Sequence, residues 1–475
     1  LAFNDPDAEV NVPLLFGPNA TLSDLFLAIT MVIEQVDSQL KKHLDKLYSD
    51  PAFDELEASW RGLEDLCQYV QQEDIYVDFL DVTKEELRTD FADHDSDIFG
   101  SALFKKVYVE EYDRYGGEPF ATMIGLYHFN EVTGDGADIR WLRTMSKIAA
   151  AAHCPFVAGA GPRFMGKESM AQVAELTDLD AILQNPKYGK WDAFRDEDWA
   201  AYIGLTLPRY LVRTPWGASG EAERGNDVEF NETVDLWEKG DKQNLLWGNA
   251  SVLFAKNLIR SYATSEWAQH IRGPKGGGLV EGLTVFTYKR KDGDVVYGKA
   301  AKDVESNEEM LPPVEIVIPD YREYQFARNG LIARVHKKGE AVATFFSAQS
   351  IKKGKTFLED VNTKNSHLVT NLAYTYSITQ IAHYVKAMVR EYIGSTADAD
   401  YIQKMLSEWL GSYVTTVVNP DDLTLRYYPF KATQVLVEPK PGPFGWYKST
   451  ISILPHIQFE GMDVELRLEA SLGGK

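Results

Sequence analysis

Between residues 21 and 48 apolar side chains recur every three or four positions: Leu22, Leu25, Phe26, Ile29, Val32, Ile33, Val36, Leu40, Leu44 and Leu47. That spacing draws one stripe along an α-helix, and Lys41, Lys42, Asp45 and Lys46 keep its far end soluble. The period continues through residues 50–70, DPAFDELEASWRGLEDLCQYV. Asp50 is placed to cap a second helix and Pro51 suits its first turn, with Phe53, Leu56, Trp60, Leu63, Leu66, Cys67 and Val70 on one face. Gly62 interrupts this helix at a cost of about 1 kcal/mol relative to alanine, so another backbone is expected to approach there. Two long amphipathic helices joined in a hairpin need something to pack on. A partner subunit is one candidate.

Beyond residue 70 short β runs alternate with helices, the pattern of an α/β fold. Strands are predicted at 75–80, 120–127, 155–158 and 205–212, and helices at 83–91, 138–152, 169–183 and 246–261. A glycine-rich stretch, 273–278, reads as a flexible joint or an exposed edge. From 284 to 347 the signal is β, with runs at 284–288, 295–296, 314–318, 331–335 and 343–346 and a hairpin turn at Lys291-Asp292-Gly293-Asp294. A polar stretch follows at 347–371. Two more striped helices are predicted at 378–393 and 401–417, the second stopped by Asn419-Pro420. The end is β again, at 424–428, 433–437, 447–454 and 464–468.

In that last run Val464, Leu466 and Leu468 alternate with Asp463, Glu465, Arg467 and Glu469, so one face is expected to be buried and the other wet. A terminal strand of this kind can pair with another chain, because a strand edge carries unpaired N–H and C=O groups. The expected organisation is an N-terminal arm and hairpin over 1–70, a middle α/β domain over 71–355 and a C-terminal domain of helices plus sheet over 356–475.

Composition narrows the function classes. Hydrophobic residues make up 44% and charged residues 25% of the 475, the balance of an ordered globular chain rather than a disordered one. Asp and Glu outnumber Lys and Arg by 71 to 49, and the net charge of −22 argues against nucleic acid or an anionic membrane as bulk partner. Cys67 and Cys154 form no CxxC, so neither a disulfide framework nor a zinc site is indicated. With no apolar run of about eighteen residues and no signal-peptide pattern in LAFNDPDAEV, the cytoplasm is the expected compartment. The missing initiator Met implies residues before Leu1.

Candidate chemistry is thin. After an apolar strand, Gly161-Pro162-Arg163-Phe164-Met165-Gly166-Lys167-Glu168 nearly matches the phosphate loop G-x-x-x-x-G-K-[ST]. It fails where the loop must offer a hydroxyl to magnesium, since Glu168 brings an anion and Ser169 comes one residue late. Pro162 also removes one N–H from the cradle. A nucleotide-binding enzyme is therefore the weaker alternative. His94, His153, His383 and His456 show no metal-ligand spacing, and no G-x-S-x-G occurs. No residue is assigned a catalytic, metal or cofactor role.

Three separated motifs carry a resemblance: Leu56-Glu57-Ala58-Ser59-Trp60-Arg61-Gly62-Leu63 after Pro51-Ala52-Phe53, Ile381-Ala382-His383-Tyr384-Val385-Lys386 with Ile393-Gly394-Ser395, and Leu454-Pro455-His456-Ile457-Gln458-Phe459-Glu460-Gly461. In order and spacing they resemble the large sheath subunit of bacterial type VI secretion systems, the TssC or VipB family. The family's usual R-P-L appears here as Tyr428-Pro429-Phe430. The resemblance implies a non-enzymatic building block with a contractile-tail sheath fold and an exchanged terminal strand. It further implies an obligate heterodimer with a small sheath subunit (TssB or VipA), stacked rings around an inner Hcp tube, a baseplate, and recycling of contracted sheath by the AAA+ ATPase ClpV. On that basis Val464, Leu466 and Leu468 would form the linking strand. Asp398, Asp400, Lys404 and Glu408 would face the tube, and Trp60, Arg61, Gly62 and Leu63 would sit where the hairpin meets the body or the small subunit.

Overall fold

A computed structural model describes residues 21–71, 74–217, 230–232, 245–291, 294–297, 309–355, 357–417, 420–440 and 446–456. The predicted hairpin is present as α1 (Leu22–Tyr48) and α2 (Pro51–Tyr69). Thr21 and Asp24 cap α1 reciprocally, and the Asp50 carboxylate accepts from the Ala52 N–H at 2.9 Å to start α2.

The body is built on a six-stranded mixed sheet. Its strands are β1 (Met123–Phe129), β2 (Phe156–Ala160), β3 (Ile203–Leu207), β4 (Leu279–Val280), β5 (Ile332–His336) and β6 (Ala343–Phe345), in the order β1-β2-β3-β5-β6-β4. The first four in that order are parallel and the last two join antiparallel. Helix α3 (Ala137–Ala151) connects β1 to β2 and buries Trp141, Leu142, Met145 and Ile148 on one side of the sheet. Helix α4 (Ala250–Ser265) buries Val252, Leu253 and Phe254 in the second core, with Val157 of β2 and Ile332 of β5. Strands covered on both faces read as continuous apolar runs, as 156–160 and 203–207 do.

The C-terminal part holds α5 (Leu372–Glu391), α6 (Ala399–Gly411) and an antiparallel ribbon of β7 (Phe430–Pro439) and β8 (Tyr447–Pro455). Ile402, Leu406 and Leu410 of α6 pack with Trp267, Phe430, Val435 and Val437. Helix α5 is fastened to the end of a π-helix at Lys105–Tyr112. Lys386 pairs with Asp113 at 2.8 Å and lies 3.6 Å from the Tyr112 ring centroid, while Arg390 donates to the carbonyls of Asp113 at 3.1 Å and Arg114 at 2.9 Å.

Several expectations are corrected. Residues 75–80 form no strand: among the described residues no strand pairs with them, and Tyr76 and Phe79 are exposed. The predicted helix 169–183 is two short ones, Met170–Ala174 and Leu179–Leu183, each started by its own cap, Ser169 and Asp178. Among the described residues, 314–318 contribute only a bridge from Val314 to Tyr210, with the Glu315 N–H donating to the Arg209 carbonyl at 3.0 Å, because Pro319, which has no N–H to give a ladder, opens a helix. Residues 424–428 are helical rather than extended, since Asp421 caps Asp422–Tyr427 and Arg426 pairs with Asp422 one turn back. The helix expected to reach 417 ends at Gly411.

The glycine stretch 273–278 is a tight turn rather than a joint. Gly278 N–H donates to the Gly273 carbonyl at 2.8 Å, and Gly273 and Gly278 both bond to Phe345 of β6. A Cβ on Gly277, where φ is +96°, would stand 1.9 Å from the His270 carbonyl.

Candidate assembly surface

Helix α2 lies on the body through small residues. Its buried positions are Ala58, Gly62 and Leu66, four apart on one line, and they meet α4 and the short strand Trp247–Gly248. A Cβ on Gly62 would meet Val252 Cγ2 at 3.3 Å and Tyr210 Oη at 3.6 Å, which is why the helix can come this close. The sequence pattern put the larger stripe inward, and here the structure differs. Leu56 and Trp60 are exposed, Trp60 by 56%, and Leu63 is half-buried. The Trp60 ring packs 5.5 Å from Phe79, itself exposed. Arg61 donates Nε–H to Glu57 Oε1 at 2.7 Å.

The base of the hairpin is held by Arg213, which sequence reasoning missed. Arg213 binds both oxygens of Glu57 and donates to Glu232 Oε2 at 2.6 Å. Its guanidinium also lies 5.2 Å from the Tyr48 ring and 5.5 Å from the Trp216 ring. Burial pushes the Glu57 carboxyl up, but the hydrogen bonds from Arg213 and Arg61 outweigh it and hold the group below its usual range. Burial pulls Arg213 down, and Glu57 and Glu232 more than reverse this. Asp54, one turn before Ala58, gains too little from the Arg213 charge: burial first, then Glu232 and Glu57, push it up to about 6. A second tie joins Asp65 to Lys256 of α4.

So mounted, α1 leaves its stripe uncovered. Leu22 is 74% and Phe26 68% exposed, and Leu25, Ile29, Ile33, Val36, Leu40 and Leu47 are exposed with them; Ala28 is the one buried residue of α1. A continuous apolar row of this length on a capped helix marks an interaction surface. Covering each such side chain contributes about 1.5–3 kcal/mol before the costs of association.

At the other end of the chain Asp398 caps α6 through the Tyr401 N–H at 2.9 Å, and Asp400, Lys404 and Glu408 follow on its exposed side. Lys404 and Glu408 stand 3.8 Å apart. Val464, Leu466 and Leu468 lie outside the described residues. The near-phosphate loop folds as a 3₁₀ turn, Pro162–Met165. Its N–H groups are engaged internally: Arg163 with Asn130, Phe164 with Gly161, Gly166 with Arg163 and Lys167 with Pro162. Glu168 pairs with Arg163 at 2.9 Å. Among the described residues no helix is long and apolar enough to cross a membrane.

Comparison with known proteins agrees over nearly the whole chain. The profile of the EvpB/VC_A0108 tail sheath N-terminal domain matches residues 30–352, and that of the EvpB/VC_A0108 tail sheath gpW/gp25-like domain matches residues 361–472. The type VI secretion system sheath protein TssC1 of Pseudomonas aeruginosa PAO1 is 33% identical over 453 residues, covering 95% of this chain and 87% of that protein. More distant likenesses are to chains of the anti-feeding prophage baseplate, at TM-score 0.37 and 8% identity over 70% of this chain and 66% of that one, and of its contracted helical sheath, at TM-score 0.30 and 9% identity over 70% and 67%. The chain belongs to the TssC/VipB family of type VI secretion tail sheath proteins.

Proposed function

We propose that this chain, as the large subunit of a contractile sheath, forms an obligate heterodimer with the small sheath subunit through the exposed stripe of α1. The observation that carries this is a 27-residue capped helix held firmly at its base yet apolar along its open side. Residues that cost stability when wet are retained where a second chain covers them. Heterodimers would polymerise in the bacterial cytoplasm around an Hcp tube, starting from a baseplate, and a ClpV-type ATPase would recycle the contracted sheath. In this reading 1–70 is the docking arm, 71–355 the outer layer and 356–475 the inner layer.

Within that inner layer, the exposed side of α6, with Asp398, Asp400, Lys404 and Glu408, faces the tube. Exposed ion pairs contribute only about 0–1 kcal/mol each, which suits a tube that must be released. Residues 464–468 add a strand to a neighbour, and the β7–β8 ribbon, two-stranded among the described residues, offers the kind of edge that accepts one.

The test is co-expression with the small subunit. Leu25→Glu with Ile29→Glu is expected to abolish co-purification and tubes in electron micrographs while the chain alone stays folded. Normal heterodimer and tubes from this variant would sink the assignment of α1. Removal of residues 464–475 is expected to leave the heterodimer and prevent its polymerisation.

A further inference from the structure

Under the turn between α1 and α2 lies a cleft of about 570 Å³. The hairpin supplies Tyr48, Ser49, Asp54 and Glu55, and the C-terminal ends of β1 and β2 supply His128 and Ala160. Three carboxylates, Asp54, Glu55 and Glu315, face one guanidinium, Arg209. Arg209 is already held by both oxygens of Glu315, at 2.7 and 2.9 Å. Asp54 has no ion-pair partner among the described residues.

Two further observations point to an occupant. The Nε2 of His128 is buried at this cleft with no hydrogen-bond partner among the described residues, and burial, with Arg209 and Lys84, pushes the ring down to about 3, so it stays neutral. The cleft also sits at the C-terminal end of α1, where the last carbonyls and the helix dipole favour positive charge; Ser49, the C-cap, lines it. Leu126 and Trp247 give the walls apolar surface suited to the stem of a long side chain.

We propose that this cleft receives a lysine or arginine side chain from the subunit that covers α1. The inference rests on the reading of α1 as a docking helix. The exposed stripe ends at Leu47, next to the cleft residues Tyr48 and Ser49, so a segment lying along α1 and passing its end delivers a side chain there. The cation completes the charge of Asp54 and Glu55, and its N–H groups or those of the adjoining backbone reach His128.

The experiment compares the full chain with Asp54→Asn and with Glu55→Lys, each bound to the small sheath subunit at low and high salt. Both are expected to weaken binding by about tenfold or more at low salt, and to flatten its salt dependence, because an attraction that salt screens is lost. Glu55 is exposed on the rim, so its replacement leaves the fold intact. Parent-like affinity in both variants overturns the inference. If Leu25→Glu with Ile29→Glu abolishes binding while both cleft variants bind as the parent, the cleft inference falls and the docking reading stands.

Discussion

Arg213 and Glu57, 156 positions apart in the chain, meet as a parallel fork: Nε–H donates to Oε1 at 2.7 Å and Nη2–H to Oε2 at 3.0 Å. Both side chains are nearly buried, about 10% exposed, so the pair is shielded from the screening that weakens surface ion pairs. It fixes the first turns of α2, and through them the direction in which α1 leaves the body.

Removing Arg213 should therefore leave Glu57 with Arg61 alone. Arg213→Ala leaves Glu57 and Glu232 as neighbouring buried carboxylates, and a loss of about 3–5 kcal/mol is expected. Amide exchange should show it first in α2, and unchanged protection there would mean that the Ala58-Gly62-Leu66 contact alone holds the hairpin.

Asp54 gives a pH dependence of the opposite sign from an ordinary paired carboxylate. Folded, it titrates near 6; its ordinary value is 3.8. Below 3.8 both folded and unfolded states hold the proton, between 3.8 and 6 the folded state binds more, and above 6 the full cost of the buried charge is present. The parent should lose stability relative to Asp54→Asn as pH rises through this window. In the isolated chain the variant should melt higher at about pH 7.5 and no differently at about pH 3. Equal melting at both would place the carboxylate in open water.

Gly62 offers a graded test of close approach. Alanine adds a methyl 3.3 Å from Val252 Cγ2, and its better helix propensity, worth about 1 kcal/mol, roughly offsets the crowding. Leucine cannot fit, and Gly62→Leu should cost about 1–3 kcal/mol and reduce tube formation further by tilting α1. Normal stability and tubes from the leucine variant would mean that α2 is free to shift on α4.

The sequence announced those features that depend on neighbours in the chain. Thr21 with Asp24, and Asp50 with Pro51, marked where α1 and α2 begin, and the apolar runs at 156–160 and 203–207 marked buried parallel strands. What depends on distant residues was hidden. The stripe of Leu56 and Trp60 is real, but nothing local says that Ala58 and Gly62 win the inner position; that follows from the surface of α4. Residues 75–80 have strand-forming side chains and, among the described residues, no strand to pair with. Arg213 and Glu57 have no spacing signal at all, so the clamp could be seen only once folded. The family motif shows the same division, with Trp60 facing out and Gly62 facing in within a single turn.

The fastening of α5 to the π-helix has a mechanical consequence. Lys386 sits on the face of Tyr112 and against Asp113, and Arg390 grips two consecutive carbonyls beyond it. A torque applied to α5 is thus carried into the body by directional bonds and not absorbed by a slack linker, and the chain can act as a crank whose arm and hub turn together.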